Sequence, residues 1–152
     1  MRRVLLIVGL VAILVGLVAI LVGLCVHQFE GVAVLHEEKL ETKTLSQFYP
    51  KGFDHVSKIA ILNGSSGAKK TTTDKQSIVP FINSIKDIPF IPDENQERRV
   101  GFRYNVTFYN DKKSIFSFSM TNVDGHYYHT EPDLYPIVDT FYKQLNVEEI
   151  AP

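Results

Sequence analysis

The chain has 152 residues, 45% of them hydrophobic, with 17 acidic and 16 basic side chains and a single cysteine, Cys25. Arg2 and Arg3 stand before residue 4, so the rest of the chain carries 14 basic groups against all 17 acids. That balance argues against a nucleic-acid or anionic-lipid binder, which needs a strongly basic face, and the lack of cysteine beyond Cys25 excludes a disulfide framework.

Residues 4–26 read VLLIVGLVAILVGLVAILVGLCV, an apolar run with no charged side chain. As a helix rising about 1.5 Å per residue, it is long enough to cross the roughly 30 Å hydrocarbon core of a bilayer. Arg2 and Arg3 precede it and the next basic residue is Lys39, so the positive-inside rule places the N-terminus in the cytoplasm and the C-terminal part outside. The run is longer than the core of about 7–15 residues usual in a cleaved signal, and Gly23-Leu24-Cys25 is a poor cleavage site. Leu24 also occupies the position where a lipoprotein box wants a small residue, so Cys25 is expected to be an ordinary thiol near the outer interface. The heptapeptide GLVAILV occurs twice, at 9–15 and 16–22, which puts Ala12, Gly16, Ala19 and Gly23 on one helix stripe. Such small-residue spacing lets backbones approach closely and predicts a seam for self-association or for a partner helix.

Residues 27–53 are weakly patterned and read as a tether. Regular structure is expected from about His55. Residues 56–62 form a β-branched strand, Asn63-Gly-Ser-Ser-Gly67 is turn material, and a second strand covers 68–73. A helix follows with Ile78, Val79, Phe81, Ile82 and Ile85 at helical spacing, capped by Asp74 or Ser77. With Ser77 as the cap, Pro80 falls in the first turn; with Asp74 it lies in the helix interior and kinks it. Residues 87–96, with two prolines and several acids, read as a loop.

Val100, Phe102, Tyr104, Val106 and Phe108 alternate with Gly101, Arg103, Asn105, Thr107 and Tyr109, the period of a half-buried strand. Phe116, Phe118 and Met120 alternate with Ser117, Ser119 and Thr121 in the next. Matching the two apolar faces sets Phe108 opposite Phe116 and Val106 opposite Phe118, and leaves residues 111–113 as a three-residue loop. Asp124-Gly125 is a two-residue hairpin turn that folds 126–129 back as a further strand. Leu134, Ile137, Val138, Phe141 and Leu145 then stripe a last helix beginning near Asp133 or Thr130. The expected fold class is α+β: an N-terminal transmembrane helix, then a small antiparallel sheet in the order ββαβββα with two helices packed on one face. The expected divisions are 1–26 anchor, 27–53 tether and 54–152 extracytoplasmic domain.

The segments VSKIAILNGSSG, TTTDKQSI and NQERRVGFRYNVTFYNDKK resemble the YhfM-like extracytoplasmic domains of Gram-positive bacteria, over roughly residues 55–145. The resemblance implies a small surface-anchored α+β domain on a lipoprotein or a single membrane anchor, and brings no active-site residues with it. The context of Cys25 departs from a lipoprotein signal.

Chemistry-bearing patterns are sparse. His126 and His129, three apart on a strand, point to opposite faces and do not share an ion. Residues 93–97 supply acids without the glycine turn or ligand spacing of a calcium loop, and read as a solvated loop answered by Arg98 and Arg99. Ser65, Ser66 and Ser77 lack a base and a nucleophile elbow, and NGSSGAKK lacks P-loop spacing. Asn63 and Asn105 head formal glycosylation sequons, the second inside an expected strand. No catalytic, cofactor or metal residues are assigned, and the reading is of a non-enzymatic module rather than a hydrolase. The candidate binding face is the open side of the sheet: Arg103, Thr107, Tyr109, Ser117, Ser119, Thr121, His126 and Tyr128. The expected partners are the membrane, crossed once, and an envelope protein or wall-associated ligand, with no nucleic acid. The alternative is an accessory subunit of a membrane complex acting through its transmembrane helix.

Overall fold

The computed structural model describes residues 39–148 and Ile150. Residues 4–26, including Ala12, Gly16, Ala19, Gly23 and Cys25, lie outside the described residues. Among the described residues no helix is long and apolar enough to cross a membrane. The C-terminal compact unit begins at Leu40 and is an α+β fold. Its order is β1 (Lys43–Thr44), α1 (Leu45–Phe48), β2 (Lys58–Asn63), β3 (Lys69–Thr72), α2 (Lys75–Ile85), β4 (Pro89–Pro92), β5 (Tyr104–Asn110), β6 (Lys113–Ser119), β7 (Asn122–Val123), β8 (His126–Thr130) and α3 (Tyr135–Gln144). The strands form one antiparallel sheet in the order β1-β4-β8-β7-β6-β5-β2-β3.

The sheet is larger than the expected five strands because segments read as tether and loop pair with it. Residues 40–53 belong to the folded unit: β1 pairs with β4, and Leu45 and Phe53 enter the core. Thr44 caps α1 through a reciprocal capping box with Gln47. The proline-bounded stretch Pro89–Pro92 is β4, and its Phe90 is fully buried against Phe48, Phe118 and Tyr128 in edge-to-face contacts.

The β5–β6 pairing sets Phe108 against Phe116 and Val106 against Phe118, as the alternation requires. The turn differs from expectation. Asn110 pairs with Lys113, leaving only Asp111-Lys112 between them, and the odd residue is taken up by a bulge beyond Phe108. Asp111 meets the turn with a φ of 52°. The Asp124-Gly125 hairpin forms as expected, both residues at positive φ and Val123 opposite His126.

Asp74 caps α2, its carboxylate accepting from the Gln76 amide and from the Ser77 hydroxyl. Those bonds hold it below the usual carboxylate range, the Ser77 hydroxyl contributing most. Pro80 therefore lies inside the helix, which still buries Ile78, Phe81, Ile82 and Ile85. Helix α3 starts at Tyr135, whose amide is received by Asp133, and buries Val138 and Tyr142. These helical residues share one core with Ile59, Ile61, Val106, Phe108 and Phe118 of the sheet. Tyr104 pins α3 to β5: its hydroxyl donates to Asp139 at 2.9 Å, and burial together with that carboxylate pushes the phenol well above its ordinary range.

Strand β5 begins at Tyr104, not Val100. Val100 is 99% exposed and Phe102 42% exposed. The reason is pairing: β2 ends at Asn63, opposite Tyr104, so residues 100–103 have no neighbouring strand on that side. The chain instead crosses the β2–β3 turn, where the Gly64 amide donates to the Arg103 carbonyl at 2.8 Å and the Phe102 carbonyl fills the space a Cβ on Gly64 would need.

Phe90→Ala is expected to cost about 3–5 kcal/mol in urea unfolding, and Gly64→Ala to destabilise by displacing residues 102–103. Val79→Ser, at a site 53% exposed, is expected to stay within about 0.5 kcal/mol.

Candidate functional site

The sheet face away from the helices is where polar side chains collect. Across β5 and β6, Ser117 donates to Asn105 Oδ1 at 3.0 Å, and the Thr107 hydroxyl lies 3.1 Å from Ser117 and 3.3 Å from Asn105. Asn122, on β7, accepts the Gly125 amide at 3.2 Å, and Ser119 lies between Asn105 and Asn122 in the ladder.

Residues 93–103 make this face concave. The Gln96 side chain mimics a strand peptide: its Oε1 accepts the Tyr127 amide at 2.9 Å, and its Nε2 donates to the Tyr127 carbonyl at 2.9 Å and to the Asp93 carbonyl at 2.7 Å. Arg99 lies over the Tyr127 ring at 4.7 Å, its amide donates to the Tyr127 hydroxyl at 2.8 Å, and its guanidinium reaches Asp93 at 2.7 Å and the Asn95 carbonyl at 2.8 Å. The other oxygen of Asp93 meets His129 Nδ1 at 2.9 Å. Burial opposes ionisation of Asp93, but the His129 and Arg99 contacts outweigh it and hold its carboxyl below the usual range.

The result is a cleft of about 860 Å³ between residues 96–102 and the β5–β8 surface, with Asn105, Ser117, Ser119, Thr121, Asn122 and Tyr127 among its lining. The Asn105 and Asn122 amide oxygens are both occupied from within the chain, so their Nδ2 groups are the donors left for a ligand. A second hollow of about 700 Å³ lies between α2 and α3, where Phe81 and Phe141 stack at 3.9 Å, and a third of about 450 Å³ lies between the Ser46–Val56 region and α2. Among the described residues no group of three or more His, Cys, Asp and Glu is placed to hold a metal.

Ser117, Ser119 and Thr121 line the cleft, and Thr107 joins its hydrogen-bond network. The other expected members disperse. Tyr128 is 3% exposed and packs on Phe48 and Phe90 in the core. His126 opposes the buried Val123, which puts it and Tyr128 on the core side of the ladder, His126 at an exposed turn. Tyr127 takes the outward place expected of Tyr128. Arg103 directs its guanidinium over Tyr135 of α3, 4.5 Å from the ring centroid, and Tyr109 lies four residues along β5 from Asn105, beneath Lys58 at 4.1 Å. Gln96, Arg99, Asn105, Asn122 and Tyr127 are not among the residues expected on this face, although Asn105 is placed by its alternation on the polar side of its strand and Arg99 is read as answering the acids of 93–97, as it does at Asp93. One signal was present: a two-residue turn at Asp124-Gly125 pairs His126 with Val123, so an inward Val123 commits Tyr128 inward as well.

Asp93→Asn is expected to lower stability by about 1 kcal/mol at neutral pH. A carboxyl with a depressed native pKa contributes fully above its ordinary value near 4 and loses that contribution as pH falls through the native value. The difference between the two proteins in urea midpoint should therefore shrink toward zero as the pH falls into strong acid. Comparison of the chain with family models, curated proteins and solved structures gives no match, so the site stands on its own geometry.

Proposed function

We propose that this chain is a single-pass, membrane-anchored extracytoplasmic binding module of the YhfM-like kind, not an enzyme, with its N-terminus in the cytoplasm and its α+β unit outside. Its cleft takes an acceptor-rich segment of an envelope protein or a wall-associated ligand. The carrying observation is the cleft floor, where hydroxyls of Ser117, Ser119 and Thr121 sit among asparagine amides whose oxygens are already engaged. The free amide donors of Asn105 and Asn122 and the hydroxyls of Ser119 and Thr121 hydrogen-bond peptide or sugar oxygens without a charge to desolvate, while Ser117, whose proton goes to Asn105, is left as an acceptor. The membrane part of the reading is supported by the apolar run at 4–26 and the two arginines before it. In the same reading Cys25 is unlipidated, and Ala12, Gly16, Ala19 and Gly23 form a seam for a second helix.

A photo-crosslinking side chain at Thr121, in the full chain in intact cells, is expected to trap one discrete partner. Asn105→Ala should weaken capture by up to about tenfold, the worth of one hydrogen bond. Adducts scattered over many proteins and indifferent to Asn105 would contradict the reading.

A further inference from the structure

Strand pairing sets four polar side chains in a row across the outer face. Asn105 on β5 pairs with Ser119 on β6, Ser119 with Asn122 on β7, and Asn122 with Tyr127 on β8. Paired residues share a face and neighbouring strands stand about 4.8 Å apart, so the row runs at right angles to the strands with about 10 Å between the two asparagines. All four residues line the cleft. Ser119 is only 8% exposed, and its hydroxyl has no hydrogen-bond partner among the described residues. Among those residues no fully buried side-chain polar atom lacks a partner, so this hydroxyl opens on the cleft and is met by whatever fills it. On either side stand the Asn105 and Asn122 amides, each with its oxygen engaged within the chain and its Nδ2 left to donate. The charged residues of the lining are Arg98, Arg99 and Asp124, and Arg99 is already paired with Asp93, so charge in the cleft is nearly balanced.

Resting on the reading of this cleft as a binding site, we propose that its ligand is an extended β-1,4-linked glycan bearing N-acetyl groups, laid along the row. Alternate sugars of such a chain face opposite ways, so acetamido groups on one side recur at every second sugar, an interval close to the two strand spacings between Asn105 and Asn122. Each Nδ2 donates to an acetamido carbonyl, and Ser119 meets a sugar hydroxyl between them. A peptide matches the row less well, because its same-side residues recur at about 6.8 Å, twice the rise of a strand. It also finds no edge to join, since the floor strands are interior to the sheet and spend their main-chain groups on one another. An anionic polymer would want a basic floor, and this floor is built of hydroxyls and amides.

Isothermal titration of the full chain in a sugar-free detergent tests this, with the β-1,4-linked tetramer of N-acetylglucosamine and with cellotetraose, which has the same linkage and no acetamido groups. The acetylated tetramer is expected to bind tighter than cellotetraose by about tenfold or more, the worth of one to two hydrogen bonds. Asn105→Asp keeps the oxygen that accepts from Ser117 and Thr107, Asn122→Asp keeps the oxygen that accepts the Gly125 amide, and each removes only the donor. Each is expected to weaken the acetylated tetramer about tenfold, while Val79→Ser, on α2, changes nothing. Equal affinity for the two tetramers, which needs no variant to read, or affinity indifferent to both asparagine variants would overturn the proposal. So would no binding of either tetramer. In that case a discrete protein trapped from Thr121 in cells keeps the binding-module reading and makes its ligand a protein, whereas scattered adducts overturn that reading as well.

Discussion

One side chain closes what the backbone leaves open. Strand β4 ends at Pro92, and beyond it the Tyr127 peptide on β8 would face outward with only the Asp93 amide to meet its carbonyl. Gln96 supplies the missing acceptor for the Tyr127 amide and a second donor to its carbonyl, which satisfies the strand edge without another strand. Everything distinctive about the outer face follows: residues 93–103 are tied to β8 at one end, to Gly64 at the other, and span the sheet between them. The cleft is the space beneath that span.

The inner face is organised by parity. Once Asp124-Gly125 pairs Val123 with His126, and Phe108 pairs with Phe116, each side chain of β5 to β8 is assigned to core or solvent. The mismatch between a two-residue turn at Asp111-Lys112 and the required register is absorbed by the bulge beyond Phe108, which leaves the aromatic pairing intact. Phe90, Phe108, Phe118 and Tyr128 then stack edge-to-face across four strands, and α2 and α3 cover the aliphatic side.

Local pattern made much of this legible. The alternation of 104–108 and 116–118 and the Asp124-Gly125 turn stand where the sequence places them, and so do the apolar stripes of α2 and α3 except that Val79 faces solvent and Tyr142, not expected in the stripe, is buried. Alternation failed at Val100 and Phe102 because a strand needs a neighbour as well as a period, and β2 stops at Asn63. Strand β4 was hidden by its bounding prolines, and β1 by having only two residues, both stabilised by non-local pairing that no local window contains. The cleft was half legible. Its hydroxyl floor follows from the β6 alternation, but its roof depends on Gln96 reaching a residue 31 positions away.

The Gln96 clamp is tested most directly by amide hydrogen exchange at Tyr127. Its N–H has only a side-chain acceptor, Gln96 Oε1. Slow exchange in the native protein, rising toward the unprotected rate in Gln96→Ala while Val106 and Phe108 stay protected, is the predicted result. A Tyr127 amide that already exchanges freely in the native protein would contradict the clamp, and with it the cleft.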